Sequence, residues 1–125
     1  MKWIELVLRI IAGLMLLVVG ADKLSPFLTH PQSAAGAVAF KGAMAATGYF
    51  LPFVGICEMI IGALLLSGQY LRLAALMLAP LVLNFLMYHI MLDPANLPGA
   101  LFLFVTGAVI AWRRREAFAA MLQRS

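Results

Sequence analysis

The chain has little charge and a single cysteine for its size. Charged residues make up 11% of its 125 residues, whereas an ordinary soluble domain has roughly a quarter. Hydrophobic residues make up 65%, and a chain this short has too small an interior to bury them all. The apolar excess must therefore face lipid, which excludes a soluble enzyme, a nucleic-acid-binding protein and a separate aqueous domain.

The scarcity of cysteine excludes one further class of function, and the placement of the basic residues gives a second argument against nucleic-acid binding. Cys57 is alone inside an apolar run, so a C-x-x-C thiol-redox motif is excluded. The net charge of +4 does not indicate nucleic acid, because the basic residues lie mainly at the ends of apolar runs rather than along one contiguous face.

Four apolar runs are long enough to cross a membrane. They cover about residues 4–21, 51–66, 71–92 and 97–112. A bilayer core of ~30 Å needs about 20 helical residues, and flanking residues complete the shorter runs. We therefore predict an all-α fold, in which one membrane domain over residues 1–125 forms a bundle of four transmembrane helices. Glu5 and Arg9 interrupt the first run, so we expect it to be a span rather than a cleaved signal peptide.

The connection over residues 22–50 is long for so short a chain. Its Ala/Gly-rich part, Ala34 to Thr47, predicts a short helix lying at the membrane interface. This helix is either a connector packed over the bundle or a lid over a pocket. The third and fourth spans are joined by a tight turn, Asp93 to Pro98, because the residue before Pro94 resists helix and ends the third span.

The basic residues predict the orientation of the chain. With four spans, both termini lie on one side of the membrane. That side collects seven of the nine basic residues, namely Lys2, Arg9, Arg72, Arg113, Arg114, Arg115 and Arg124. Because cytoplasmic segments carry the excess of Lys and Arg, we expect both termini in the cytoplasm of a bacterial cell, with the helices in its inner membrane.

Glu58 interrupts the second span near its middle. A charge at a span centre costs about 2.5–3.5 kcal/mol, so it needs a partner inside the bundle. Gly55 and Gly62 share its helical face and permit close approach of a neighbour. The first span offers Arg9 at a similar glycine-bearing face, with Glu5 one turn earlier. We therefore predict an Arg9–Glu58 ion pair, with Glu5 positioning Arg9.

Two interpretations of this pair remain open. A buried ion pair can fix the packing of helices without doing any chemistry. Alternatively, Glu58 titrates and couples protons to a redox or transport step.

Polar residues also collect toward the outer end of the third span. Pro80, Asn84 and Tyr88 repeat every four residues, and His89 and Asp93 form a second pair at that spacing. Together with Lys23 these side chains could bind a quinone head group, since His and carboxylate groups can exchange protons with the ring. The alternative is that His89 is an interfacial histidine that bonds only to Asp93.

Two further residues bear on the same end of the chain. Asp22 and His30, from the first connection, could complete the polar pocket. Haem held by His30 and His89 is disfavoured, because His30 lies in an irregular loop. No spacing of histidines and carboxylates favours a metal site.

The motifs in these spans resemble those of the DoxX family of small bacterial membrane proteins. The first span has Arg9-x3-Gly13-x6-Gly20-x2-Lys23-Leu24, and the second has Glu58-x3-Gly62-x2-Leu65-x2-Gly68. Tyr88-His89, followed by Leu92-Asp93-Pro94, is similar to the end of the family's third span. The resemblance covers essentially the whole chain.

The resemblance implies a four-helix bundle related to the small subunit of a thiosulfate:quinone oxidoreductase and to components of oxidant-defence complexes. It points to Arg9, Lys23, Glu58 and His89. We expect a quinone-interacting subunit that takes electrons from a soluble partner protein, because the chain has no redox domain of its own. The alternatives are a membrane scaffold without catalysis and a small transporter, which would have to form a homo-oligomer.

Overall fold

The computed structural model describes residues 1–28 and 34–123, and this part of the chain is helical. Its helices are α1 (Lys2–Leu24), α2 (Ala35–Ala46), α3 (Phe50–Ser67), α4 (Leu71–Leu92), α5 (Leu97–Arg113) and α6 (Arg115–Met121). A single 3-10 turn, Pro94–Asn96, leads from α4 into α5. His30 lies outside the described residues, so its proposed part in a pocket or haem site stays a prediction.

Four helices of the described residues are long and apolar enough to cross a membrane. They are α1, α3, α4 and the segment Pro94–Arg113, which contains α5. Many large apolar side chains on these helices are exposed, among them Ile11, Ile60, Leu76 and Phe104. Because a chain in water would not present such a surface, these side chains face lipid. The predicted all-α fold with four membrane-crossing helices and a short helix α2 is confirmed.

The bundle contains two antiparallel helix pairs, α1 with α3 and α4 with α5. Between the pairs lies a core of aliphatic side chains that includes Leu16, Ile61, Leu65, Leu78 and Ile110. We call the end of the bundle that carries the beginning of α1 and the end of α5 the terminal end. The opposite end, where the long connection lies, is called the connector end.

Helix α2 packs across the connector end of α3 and α4. Ala37 is fully buried, and the ring of Phe40 lies 5.5 Å from that of Tyr88 on α4. The short helix is therefore a packed connector. Whether it also opens as a lid stays a prediction.

Helix α6 was not predicted from the sequence. The chain turns at Arg114, where Arg114 N–H bonds to the Ala111 carbonyl, and helix resumes at Arg115. The spacing of Phe118, Met121 and Leu122 gives this helix one apolar side. That spacing is the signal in the sequence that could have found it.

Candidate functional site

Four glycines bring α1 and α3 into backbone contact. A methyl group on Gly20 would lie 2.6 Å from the Gly55 carbonyl oxygen, and one on Gly55 would lie 2.6 Å from the Gly20 oxygen. Gly13 and Gly62 face each other in the same reciprocal way, at 3.0 and 2.8 Å. Only glycine permits this approach. The two contacts set the antiparallel register of the helices, in which residue 17 of α1 lies opposite Glu58.

Lys23 and Glu58 form an ion pair beside this contact. Lys23 Nζ lies 2.9 Å from Glu58 Oε1 and donates a hydrogen bond to Oε2 at 3.0 Å. The Glu58 side chain is fully buried, whereas the Lys23 side chain is 26% exposed. The ammonium group thus reaches the carboxylate from the connector end, while its stem stays against the helices.

The predicted Arg9–Glu58 pair is wrong, and the direction of the side chains explains why. Side chains on a helix lean toward its N-terminus. In this antiparallel pair Lys23 and Glu58 therefore lean toward one another, across an axial separation of about 9 Å. Arg9 lies about 12 Å from the level of Glu58 on the other side and leans away from it.

Arg9 instead lies at the terminal end, near the turn that follows α3. A methyl group on Gly68 would lie 2.9 Å from Arg9 Nη1. Gly68 has φ +73°, a left-handed conformation that ends α3 and that glycine adopts without strain. The turn therefore leaves room for the guanidinium group. Among the described residues, the buried Nε of Arg9 has no hydrogen-bond partner.

Glu5 does not position Arg9 but binds two arginines from the end of α5. Arg113 Nη1 lies 2.7 Å from Glu5 Oε2. Arg114 donates from Nη1 to Oε2 at 2.9 Å and from Nη2 to Oε1 at 3.0 Å. The Arg114 contact is bidentate, which is the strongest geometry for this pair of groups. Glu5 is 4% exposed, so the contact joins the first and last spans in a largely buried position.

At the connector end, two buried carboxylates organise the chain where α1 and α4 end. Asp22 Oδ1 accepts hydrogen bonds from the backbone N–H groups of Phe27 and Leu28, both at 2.8 Å. Asp93 Oδ2 accepts a hydrogen bond from Asn96 Nδ2 at 2.8 Å. These contacts are structural in themselves, because they satisfy groups that the helix ends and turns leave free.

His89 lies beside Asp93, as its spacing predicts. Its Nδ1 is 3.8 Å from Asp93 Oδ2 and 3.3 Å from the Asp93 carbonyl oxygen. The ring of Tyr88 packs edge-on against His89 at 4.9 Å, and Lys41 Nζ lies 5.9 Å from the centre of the Tyr88 ring. Tyr88 is thus enclosed by α2 and by its own neighbour. Its hydroxyl is buried and has no hydrogen-bond partner among the described residues.

Asn84 is exposed on α4, in a stripe that also contains Leu76, Pro80 and Met87. Its amide therefore faces lipid or another molecule. Spacing alone had placed Pro80, Asn84 and Tyr88 on one face, but only Tyr88 among them is covered. The structure does not place Asn84 with Lys23 and Glu58, and its role as a ligand-binding residue stays a prediction.

These features define a multi-pass α-helical membrane protein whose candidate site is an ion pair buried between two spans. A model of the DoxX family matches residues 4–91, which cover nearly all of α1 to α4. The chain therefore belongs to the DoxX family. Comparisons with curated proteins and with solved structures find no match.

Proposed function

We propose that this protein is the quinone-interacting membrane subunit of an oxidoreductase or oxidant-defence complex. The observation that carries the proposal is the Lys23–Glu58 pair, which places a fully buried carboxylate between two membrane-crossing helices. An ionisable residue at such a depth is expensive and is commonly part of a ligand site or a proton pathway.

One buried donor fits a ligand with a carbonyl oxygen. Among the described residues, the Tyr88 hydroxyl has no hydrogen-bond partner. A buried hydroxyl without a partner costs free energy that a ligand oxygen would recover. In our proposal the Tyr88 hydroxyl donates to a ring oxygen, and the Lys23–Glu58 pair supplies the group that exchanges protons.

A bound quinone would supply two-electron redox chemistry, with electrons provided by a soluble partner protein. In this proposal Tyr88 donates a hydrogen bond to a ring oxygen and so orients it. Glu58 takes up and releases the proton, and Lys23 stabilises its ionised form. Because the Lys23 side chain is 26% exposed, it offers the proton a route toward the connector end. We propose His89 and Asp93, which lie at the same end of the bundle, as further groups on that route.

We also propose that the protein lies in the bacterial inner membrane with both termini in the cytoplasm. The terminal end collects Lys2, Arg9, Arg72 and the arginines at positions 113–115, which is the distribution expected of a cytoplasmic face. The connector end, and with it the proposed proton route, would then open to the outside of the inner membrane.

The sharpest test uses Tyr88→Phe, because this change removes only the hydroxyl. The hydroxyl has no hydrogen-bond partner among residues 1–28 and 34–123, so the variant should keep its thermal stability. A short-chain ubiquinone, titrated into detergent-purified protein and followed by intrinsic fluorescence, should bind about tenfold more weakly to the variant. Tyr70→Phe is the matched control, since Tyr70 is 71% exposed and its hydroxyl should not affect binding.

Glu58→Gln, with the exposed Glu116→Gln as its control, extends the test to the carboxylate. Mass spectrometry of an organic extract should find quinone in the wild-type protein and in Glu116→Gln, and little in Glu58→Gln. A stable wild-type protein that neither retains nor binds quinone would contradict the proposal. Capture of a defined partner by that same quinone-free protein would favour the scaffold function instead.

A further inference from the structure

A lipid-facing groove runs between α4 and α5, whereas the Lys23–Glu58 pair lies between α1 and α3. Small residues form much of its lining, namely Ala75, Ala79, Gly107, Ala108 and Ala111, and larger apolar side chains form the rest. The groove has a volume of about 230 Å³. From Ala75 to Leu83 it extends about 12 Å along α4. In a bilayer an apolar furrow of this shape fills with hydrocarbon, since an empty one would lose the contacts of its walls.

The groove continues to the terminal end of the bundle. Ala108 and Ala111 also line a second, more open depression of about 400 Å³, together with Trp112 and Arg115 and the apolar side of α6. The two depressions thus share residues and form one path along α5. This path leads from hydrocarbon depth to a tryptophan and an arginine, which are typical residues of a membrane interface.

Two arginines lie at the terminal end of this path. The Arg115 guanidinium lies 4.9 Å over the Trp112 ring and donates a hydrogen bond to the Trp112 carbonyl at 3.1 Å. Arg72 shares a face of α4 with Ala75 and Ala79, at a spacing of three and seven residues. The antiparallel register that sets Ala75 and Ala79 along the groove with Ala111 and Gly107 brings Arg72 to the level at which α5 ends, where the chain turns toward Arg115.

The charges of these two arginines are not balanced within the described residues. Over residues 1–28 and 34–123, the ion pairs of the terminal end join Glu5 to Arg113 and Arg114. Arg72 and Arg115 take part in none of them and are both exposed. They are therefore available to an anion at the membrane surface, at the point where the apolar groove ends.

We propose that this groove binds one phospholipid with an anionic head group from the surrounding bilayer. An acyl chain occupies the furrow between α4 and α5, and the phosphate contacts Arg115 and Arg72. The groove alone would accept any acyl chain. The two cations make the site selective for a net negative head group, because each basic side chain near the surface adds favourable interaction with anionic lipid.

Native mass spectrometry of the full chain in detergent tests the head-group half of the proposal. The protein is titrated with phosphatidylglycerol and, separately, with phosphatidylcholine of the same acyl chains. We expect tighter binding of phosphatidylglycerol. Arg72→Gln and Arg115→Gln should each weaken it about fivefold, with little effect on phosphatidylcholine. Lys2→Gln is the matched control, since Lys2 is an exposed cation at the same end.

Filling the groove tests the acyl-chain half. Ala108→Leu places a larger side chain in the furrow and should weaken binding of both lipids several-fold. Ala63→Leu, on the exposed face of α3, makes the same change outside the groove and should leave binding unchanged. Circular dichroism confirms that each variant is folded. Equal binding of the two lipids by the wild-type protein, or wild-type binding by Ala108→Leu, would overturn the proposal.

Discussion

Loss of the Lys23–Glu58 ion pair should cost more free energy at the Glu58 carboxylate than at the Lys23 ammonium group. Lys23 can still reach the surface, because its side chain is partly exposed, whereas the Glu58 carboxylate is fully buried. Removal of the ammonium therefore leaves a buried charge without its partner. We predict that Lys23→Met lowers the free energy of unfolding by about 3 kcal/mol, the usual cost of breaking one side of a buried pair.

The double variant Lys23→Met/Glu58→Leu should recover most of this loss, because an apolar pair of similar volume carries no desolvation cost. Thermal unfolding in detergent, followed by circular dichroism, measures both effects. Lys2→Met controls for the loss of a basic residue from α1, since Lys2 is exposed. If Lys23→Met unfolds at the wild-type temperature, the ion pair does not stabilise the bundle.

At the scale of single residues, the sequence predicted that Glu58 forms an ion pair inside the bundle, but it did not predict the correct partner. A carboxylate within an apolar run is easily recognised in the sequence, and the glycines beside it indicate a close helix contact. The choice between Arg9 and Lys23 depends on the register of two helices and on the way their side chains lean. Register comes from the facing pairs Gly13–Gly62 and Gly20–Gly55, which are visible only after folding.

At the scale of helices, α1 and α3 make the most extensive helix–helix contact in the described part of the chain. Because the atom facing Gly20 is a backbone oxygen at 2.6 Å, an added methyl group cannot be accommodated by a side-chain rotation. We predict that Gly20→Ala separates the two helices and destabilises the protein by about 1–3 kcal/mol, the usual cost of overpacking. The lower midpoint should be measurable by thermal unfolding in detergent.

Gly42 provides the matched control for this change. It lies within α2, and a methyl group there would meet nothing within 4 Å. Gly42→Ala should therefore be neutral or stabilising by up to about 1 kcal/mol, because alanine favours helix over glycine. Equal midpoints for the two variants would show that the close glycine contact does not determine the packing of α1 on α3.

The presence of four long apolar helices was predictable because lipid allows few alternatives to a helix for an apolar run. The predicted ends of the third span, at residues 71 and 92, coincide with those of α4. Helix α6 escaped prediction because its apolar pattern is short and directly follows three arginines. The role of its apolar side is visible only in the folded protein, in which Phe118 packs against the core.

At the scale of the whole molecule, Glu5 joins the first membrane-crossing helix to the end of the last one. It lies in the first turns of α1 and binds Arg113 and Arg114 at the end of α5, so the two ends of the described chain are held together. This contact also explains the unequal roles of the three consecutive arginines. Arg113 and Arg114 face a buried carboxylate, whereas Arg115 is left for the membrane surface.

The same packing allows a test of orientation in the intact protein. Ala46 is exposed at the connector end, and Gln69 is exposed in the turn at the terminal end. In a Cys57→Ser background, we predict that Ala46→Cys reacts with a membrane-impermeant maleimide in bacterial spheroplasts. Gln69→Cys should react only after the membrane is permeabilised, because the excess of arginine places its end in the cytoplasm. Labelling of Gln69→Cys in intact spheroplasts, with Ala46→Cys protected, would reverse the orientation. The proposed proton route from Lys23 would then open to the cytoplasm.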